Sequence, residues 1–306
     1  MKFVSMPQLP TGNLSLITAG ALGRIVLDSS TNKPAYDNGV AWVDIALTSD
    51  MSPLQSEITA LQSPNFAIFG GGSPEGLTYM STTAFYTYSY NSSVKGANLS
   101  YTGFYGAATS TGTAGLFAGG SPDGSTYLST TSLYNYANNV SNAGGNLSYT
   151  GYALAGAGNA TVGVFGGGYN TADTSSTSLY TYSSNTAAAG GSLTYAGYGL
   201  AAAGNDVVAI FGGGYGTTEL SSTSLYVYST NTATADNNLT YTSYILGAIG
   251  NSTEAVFAGG SSGIAPFSTT AIYTYSNAVI VAGNSLSYAA QALAGDSCPT
   301  AGILAG

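Results

Sequence analysis

From residue 65 to the C-terminus, apolar and polar positions alternate in short blocks and never settle into a helical stripe. Between 152 and 195 the blocks read YALAGAGN (152–159), TVGVFGGG (161–168), STSLYTYSS (176–184) and GSLTY (191–195). Each is rich in β-branched, aromatic or small residues and is bounded by Gly, Asn, Ser or Asp, which is how strands and turns read. None keeps a 3.6-residue apolar period over ten or more residues, so the region is all β. The pattern predicts four antiparallel strands per unit, the fourth at GSLTY.

The unit recurs along the chain. AIFGGG, GLFAGG, GVFGGG, AIFGGG and AVFAGG place a phenylalanine at 69, 117, 165, 211 and 257, and a worn copy, GILAG, places Leu304; the steps are 48, 48, 46, 46 and 47 residues. In the third block, tyrosines two apart (Tyr134 and Tyr136, Tyr180 and Tyr182, Tyr226 and Tyr228) fall on one strand face, with Leu133, Leu179 or Leu225 on the other. A strand apolar on both faces must be covered on both, so each sheet is expected between two like it. The first block is made of small residues (ALAGAG, GLAAAG, ILGAIG), as the crowded axis of a ring of sheets requires. These features predict a β-propeller. Five blades, with the C-terminal strands completing the first, is the preferred count; six, with an N-terminal segment making up the deficit, is the alternative.

The stretch GVFGGGYN (163–170) raises the question of a phosphate-binding loop. Such a loop needs a following helix whose N-terminal amides face the anion. Here a Ser/Thr-rich turn and another strand follow, with no lysine in reach. The five copies make the glycines an architectural mark, where the backbone turns too sharply for a Cβ.

A hydrophobic run ending in Gly-Gly, a variable loop and a tyrosine-bearing strand, repeated at about 47 residues, resembles the kelch repeat. The wording FGGGYN…STSLYTYS…GSLTYAGYGLAAAGN is more specifically similar to kelch-like repeats of tailed-bacteriophage and prophage virion proteins. Where many kelch repeats carry a tryptophan on the fourth strand, this chain has Leu99, Leu147, Leu193, Leu239 and Leu286. The partners of eukaryotic kelch adaptors therefore do not carry over.

In the first 64 residues, GRIVLDSSTNKPAYDNGVAWVDIAL places Ile25 and Leu27, then Tyr36 and Trp42, around polar turns. It predicts two or three short strands, too small a sheet to stand alone. The form G-x-I-x-x-D, polar turn, K-P, Y-D-N-G-x-x-W resembles short β modules of phage tail and fibre proteins. That resemblance implies docking or self-association through Ile25, Leu27, Tyr36 and Trp42. The expected division is a docking module at 1–50, a linker or short helix at 51–64 and a propeller at 65–306.

Composition narrows the chemistry. Only 6% of residues are charged, the net charge is -9, and no Lys or Arg follows Lys95. Nucleic-acid binding is thereby excluded for the repeats, because phosphate contacts come chiefly from those residues. Nor is there a run of about 18 apolar residues to insert in a membrane. The chain has no histidine and one cysteine, so Ser-His-Asp and Cys-His mechanisms and ordinary zinc sites cannot be built, and no metal or cofactor is expected. Glu75, Asp123, Asp173 and Glu219 recur in the loop after the double glycine. A carboxylate pair can cleave a glycoside, but the repeats spread these acids around a ring, so solvation is the favoured reading and no catalytic residue is assigned. Tyr79, Tyr127, Tyr169 and Tyr215 share those loops and are the candidates for an outside contact, since an aromatic face stacks on a sugar ring.

The resemblance implies a virion protein, on the tail or capsid surface, acting as a tail fibre or receptor-binding protein. It would attach to other virion proteins through the N-terminal module, assemble as a homo-oligomer with a trimer as the guess, and bind a host-surface glycan or protein. A capsid decoration protein without receptor binding, and a glycan-degrading propeller, are the alternatives.

Overall fold

The computed structural model describes residues 25–28, 33–37, 42–44, 66–73, 78–88, 91–298 and 301–306. The chain divides into two compact units, Met1–Ser63 and Pro64–Gly306. In the first, β1 (Ile25–Asp28), β2 (Lys33–Asp37) and β3 (Trp42–Asp44) form an antiparallel sheet in sequence order. Ile25 pairs with Tyr36 and Trp42 with Asp37, so all four docking candidates lie on strands; the expected linker helix at 51–64 falls outside the described residues.

The second unit is a five-bladed β-propeller arrangement, and no helix occurs among its described residues. The first blade has three strands: β4 (Phe66–Gly70), β5 (Thr83–Thr87) and β6 (Ser92–Lys95). Four-stranded blades follow: β7–β10 (within Ala107–Ala143), β11–β14 (within Ala155–Ala189), β15–β18 (within Ala201–Asp236) and β19–β22 (within Gly247–Ala282). The chain closes with β23 (Ala294–Cys298) paired to β24 (Ala301–Ala305). The small-residue strands β7, β11, β15, β19 and β23 lie against one another in turn around the axis, as their composition predicts.

Two expectations need correction. The fourth strand is not GSLTY but the segment directly after the tyrosine strand, for example β14 (Thr186–Ala189) on β13 (Thr177–Thr181). A turn with Asn139, Asn185 or Asn231 at φ of 54–56° makes that hairpin possible, because asparagine tolerates the left-handed region. GSLTY instead crosses to the next blade. It drops Leu193 into the core (4% exposed), and its Thr194 amide donates to Ser224 Oγ on the following blade at 3.2 Å. The second correction concerns closure. β23 and β24 bond to each other as a two-stranded sheet and do not enter the hydrogen-bonded sheet of the first blade. β23 lies beside β4, joined by Ile68 N–H to Asp296 Oδ2 (3.3 Å) and by Tyr88 Oη–H to the Asp296 carbonyl (2.9 Å).

The core lies between blades. Tyr134, Tyr180 and Tyr226 are fully buried. One cluster joins Ala209, Phe211 and Tyr226 of one blade to Val164 and Leu193 of the preceding repeat. Each buried hydroxyl donates to the turn asparagine of its own blade, Asn139, Asn185 or Asn231. The same asparagine oxygens accept amides of the previous repeat: Ala97 N–H at 2.9 Å, Gly145 N–H at 3.2 Å and Gly191 N–H at 3.3 Å. A tyrosine hydroxyl, the turn asparagine and an amide of the previous repeat thus fix each of these junctions, which satisfies polar groups that burial would otherwise leave costly.

Candidate functional site

The double glycines build one end of the propeller. Gly167 and Gly168 have φ of 67° and 101°, and a Cβ on Gly168 would meet the Tyr152 carbonyl oxygen at 2.8 Å. The stop they impose brings the next residue back along the start of the inner strand: Tyr169 N–H bonds the Tyr152 carbonyl (2.9 Å) and Tyr152 N–H the Tyr169 carbonyl (3.1 Å). Tyr198 and Tyr215 pair in the same way at 3.0 and 2.8 Å. The loop then ends where a backbone N–H returns to the second glycine carbonyl: Met80 to Gly72, Leu128 to Gly120, Thr174 to Gly168, Leu220 to Gly214 and Phe267 to Gly260.

That closing bond fixes equivalence among the loops. The residue just before it is Tyr79, Tyr127, Asp173, Glu219 and Pro266 in turn. Two candidate tyrosines and two candidate acids therefore occupy one structural position, while Tyr169 and Tyr215 occupy another, directly after the glycines. The loops span 73–79 and 121–127 in the first two repeats, 169–173 and 215–219 in the next two, and 261–266 in the last. These lengths account for the repeat steps of 48, 46 and 47 residues, so the variation in spacing sits on this end of the propeller.

The tyrosines meet partners that sequence did not single out. Tyr79 stacks on Phe104 (centroids 5.0 Å, 21° between planes) and Tyr127 on Tyr152 (5.6 Å, 11°). Tyr169 packs edge-on to Tyr198 at 5.9 Å, Tyr198 against Tyr215 at 5.6 Å, and Tyr215 against Tyr244 at 5.5 Å. Tyr105 links the Tyr79–Phe104 pair to the rest, 4.9 Å from Phe104 and 6.2 Å from Tyr152, and Tyr127 lies 5.8 Å from Tyr169. The result is a continuous belt of nine rings. Tyr105 is 41% exposed and the others are half-buried. Phe104, Tyr152, Tyr198 and Tyr244 follow the repeat step; that recurrence was the available signal, hidden by their position at the edge of the small-residue strand.

The belt borders an axial cavity of about 280 Å³ whose lining includes Ile68, Tyr105, Leu154, Leu200, Leu246 and Leu293. At its rim Ala153 N–H donates to the Tyr105 carbonyl (2.7 Å), Gly199 to Ala153 (2.7 Å), Ile245 to Gly199 (2.6 Å) and Ala292 to Ile245 (2.8 Å). All five residues in that series have φ of 47–62°. The conformation costs a β-branched residue such as Ile245 some strain, and it is held because each amide reaches the carbonyl of the blade before it.

The acids divide by environment. Asp123 is exposed, and its carboxylate accepts from Ser125 N–H (2.8 Å), Ser125 Oγ (3.1 Å), Thr126 N–H (2.6 Å) and Thr126 Oγ1 (2.8 Å). The Thr126 and Ser125 amides hold it well below the usual carboxylate range. Such a group closes its own loop and is a poor proton donor at neutral pH. The Asp173 side chain has no hydrogen-bond partner among the described residues, and its backbone bridges to Tyr169 of the belt. Burial raises the Tyr152 and Tyr198 hydroxyl pKa values first, and neighbouring rings and Asp173 add to it. Glu219 Oε1 lies beside Gly263 in the next loop; Glu75 falls outside the described residues. Among the described residues, no cluster of three His, Cys, Asp or Glu is placed to hold a metal.

No family model matches the sequence, and no curated protein matches it.

Proposed function

We propose that the chain is a structural protein of a tailed-phage virion whose propeller uses its aromatic end to bind a glycan of the host surface. The belt of nine rings from Tyr79 to Tyr244 carries this reading. Half-buried aromatic faces held by backbone pairing are rigid, lose little entropy on binding, and combine an apolar surface with hydroxyl groups, which suits the apolar face and OH rim of a sugar. Contacts of this kind are individually weak, and an oligomer held on a particle multiplies them. The N-terminal sheet supplies the attachment to other virion proteins, through Ile25, Leu27, Tyr36 and Trp42.

The reading is one of binding without turnover. Asp123 commits its oxygens to its own loop, which weighs against an acid or base there. Adsorption of the purified full chain to host cells tests the proposal. A Tyr127→Ala, Tyr152→Ala double variant should lose at least tenfold in binding while keeping its thermal unfolding within a few degrees, since stacking on an aromatic is worth about 1 kcal/mol per pair beyond burial. Unchanged adsorption overturns the glycan site. Labelled antibody that finds the chain in host cytosol and not on the particle overturns the virion assignment.

A further inference from the structure

We infer that the aromatic end selects uncharged glycans and rejects anionic ones, with Asp173 as the residue that discriminates. This rests on the glycan-binding reading above and narrows its ligand to neutral hexose or N-acetylhexosamine polymers.

Two observations carry it. The first is the charge available to the face. No lysine or arginine occurs after Lys95, and Lys95 itself ends the outermost strand of the first blade, so the loops from 121 to 266 hold no cation to pair with a uronate, sialate or phosphate. The acids that those loops do place here are Asp123, Asp173 and Glu219. An anionic sugar on this surface would lose part of its hydration and gain no counter-charge, a cost that a low-dielectric aromatic surround increases.

The second is the position of Asp173. In the second repeat the equivalent position holds Tyr127, stacked on the ring of the following blade. In the third, the shorter loop puts a carboxylate there, on a residue whose backbone bridges to Tyr169, which is itself bridged to Tyr152. Its side chain has no hydrogen-bond partner among the described residues, unlike Asp123, whose oxygens are occupied. A carboxylate free to accept, set beside rings that accommodate sugar faces, matches the hydroxyl rim of a neutral sugar and repels an acidic one. It acts by accepting hydrogen bonds and by excluding negative charge.

Binding of the full chain to immobilised glycans tests this: neutral hexose and N-acetylhexosamine polymers against uronate- and sialate-containing polymers of similar length, at low and at physiological salt. The native chain should retain neutral polymers and show at least tenfold weaker retention of acidic ones. Asp173→Asn should narrow that gap by roughly three- to fivefold at low salt, and less at high salt, as expected for removal of one nearby charge. Asp123→Asn, on the carboxylate occupied by its own loop, should narrow the gap less than Asp173→Asn does. Equal or stronger retention of acidic polymers by the native chain overturns the inference and leaves the glycan reading standing. An unchanged ratio in Asp173→Asn removes that residue's role. Retention of neither class, together with unaltered cell adsorption in the Tyr127→Ala, Tyr152→Ala variant, overturns the glycan reading and the inference with it.

Discussion

The loops of the first two repeats and those of the third and fourth stand on the same frame yet present different chemistry. Both start from a double glycine in the left-handed region and both close with an amide returning to the second glycine carbonyl. The long loops, 73–79 and 121–127, finish on Tyr79 and Tyr127, which lie flat on the aromatic ring of the next blade. The short loops, 169–173 and 215–219, finish on Asp173 and Glu219, and move their tyrosine to the position directly after the glycines. Two residues of length convert a stacked ring into a carboxylate at one place in space. A frame fixed by backbone bonds frees the loops above it to vary, as expected where connections carry the contact surface and the scaffold carries the stability.

If the frame is common, breaking it should cost the same under either loop type. Tyr134→Ala and Tyr226→Ala each empty a fully buried ring site and remove the hydroxyl that bonds the turn asparagine, so each should lose about 3–5 kcal/mol in urea unfolding. A difference above about 1.5 kcal/mol between them would show that the two loop types rest on different supports.

The junction that no repeat copies gives the next effect. At the closure, burial pushes the Asp296 carboxyl from its ordinary 3.8 up to about 6, partly offset by the Ser297 and Ile68 amides. The folded chain then binds a proton more tightly than the unfolded chain does. Stability from this group is present below about pH 4 and is lost as pH rises through about 6, by about 3 kcal/mol. Asp296→Asn should flatten the unfolding free energy over that window, while the junctions built on Asn185 and Asn231, which hold no carboxylate, stay insensitive to it. A native chain with no such slope would place the carboxylate in water.

Exchanging loops tests the comparison directly. Replacing 121–127 by the sequence of 169–173 should lower stability by about 1 kcal/mol, chiefly through the lost stack of Tyr127 on Tyr152, because loop length itself changes closure entropy little. A loss of several kcal/mol in thermal unfolding would mean that the loops hold the frame and do not merely ride on it.

The smallest effect is local. The Asp123 carboxylate is held low by the Thr126 and Ser125 amides, so its contribution exists above the usual carboxylate range and fades as pH falls through it. Protection of the Ser125 and Thr126 amides, measured against the intrinsic exchange rate at each pH, should fall on acidification, and already at neutral pH in Asp123→Asn. The 169–173 loop, where Asp173 accepts no such bonds, should show neither change.

Much of this architecture is legible in the sequence. The strand period, the small inner residues, the alternating tyrosines and the glycine stops each follow from local sterics and from which faces must be covered. GSLTY reads as the fourth strand because Leu193 looks like a strand residue, whereas the partner of the tyrosine strand is the undistinguished Thr-Ala-Ala-Ala at 186–189, paired through the left-handed turn at Asn185. The site was half legible. Tyr79, Tyr127, Tyr169 and Tyr215 stood out in their loops, but Phe104, Tyr152, Tyr198 and Tyr244 read as strand edges until backbone pairing set them beside those loops.

The sequence by itself determined that the repeats form small all-β sheets, that each sheet is apolar on two faces, that nothing basic lies past Lys95, and that length varies after the double glycine. These are properties of period, composition and spacing, and they need no partner to be read. Only the tertiary structure decided that Tyr127 and Asp173 are the same position, that the C-terminal strands pair with each other beside the first blade, and that rings from separate repeats join into one belt. Each of those depends on which distant amide meets which carbonyl, and a hydrogen bond between chain segments about 47 residues apart leaves no mark in either segment alone.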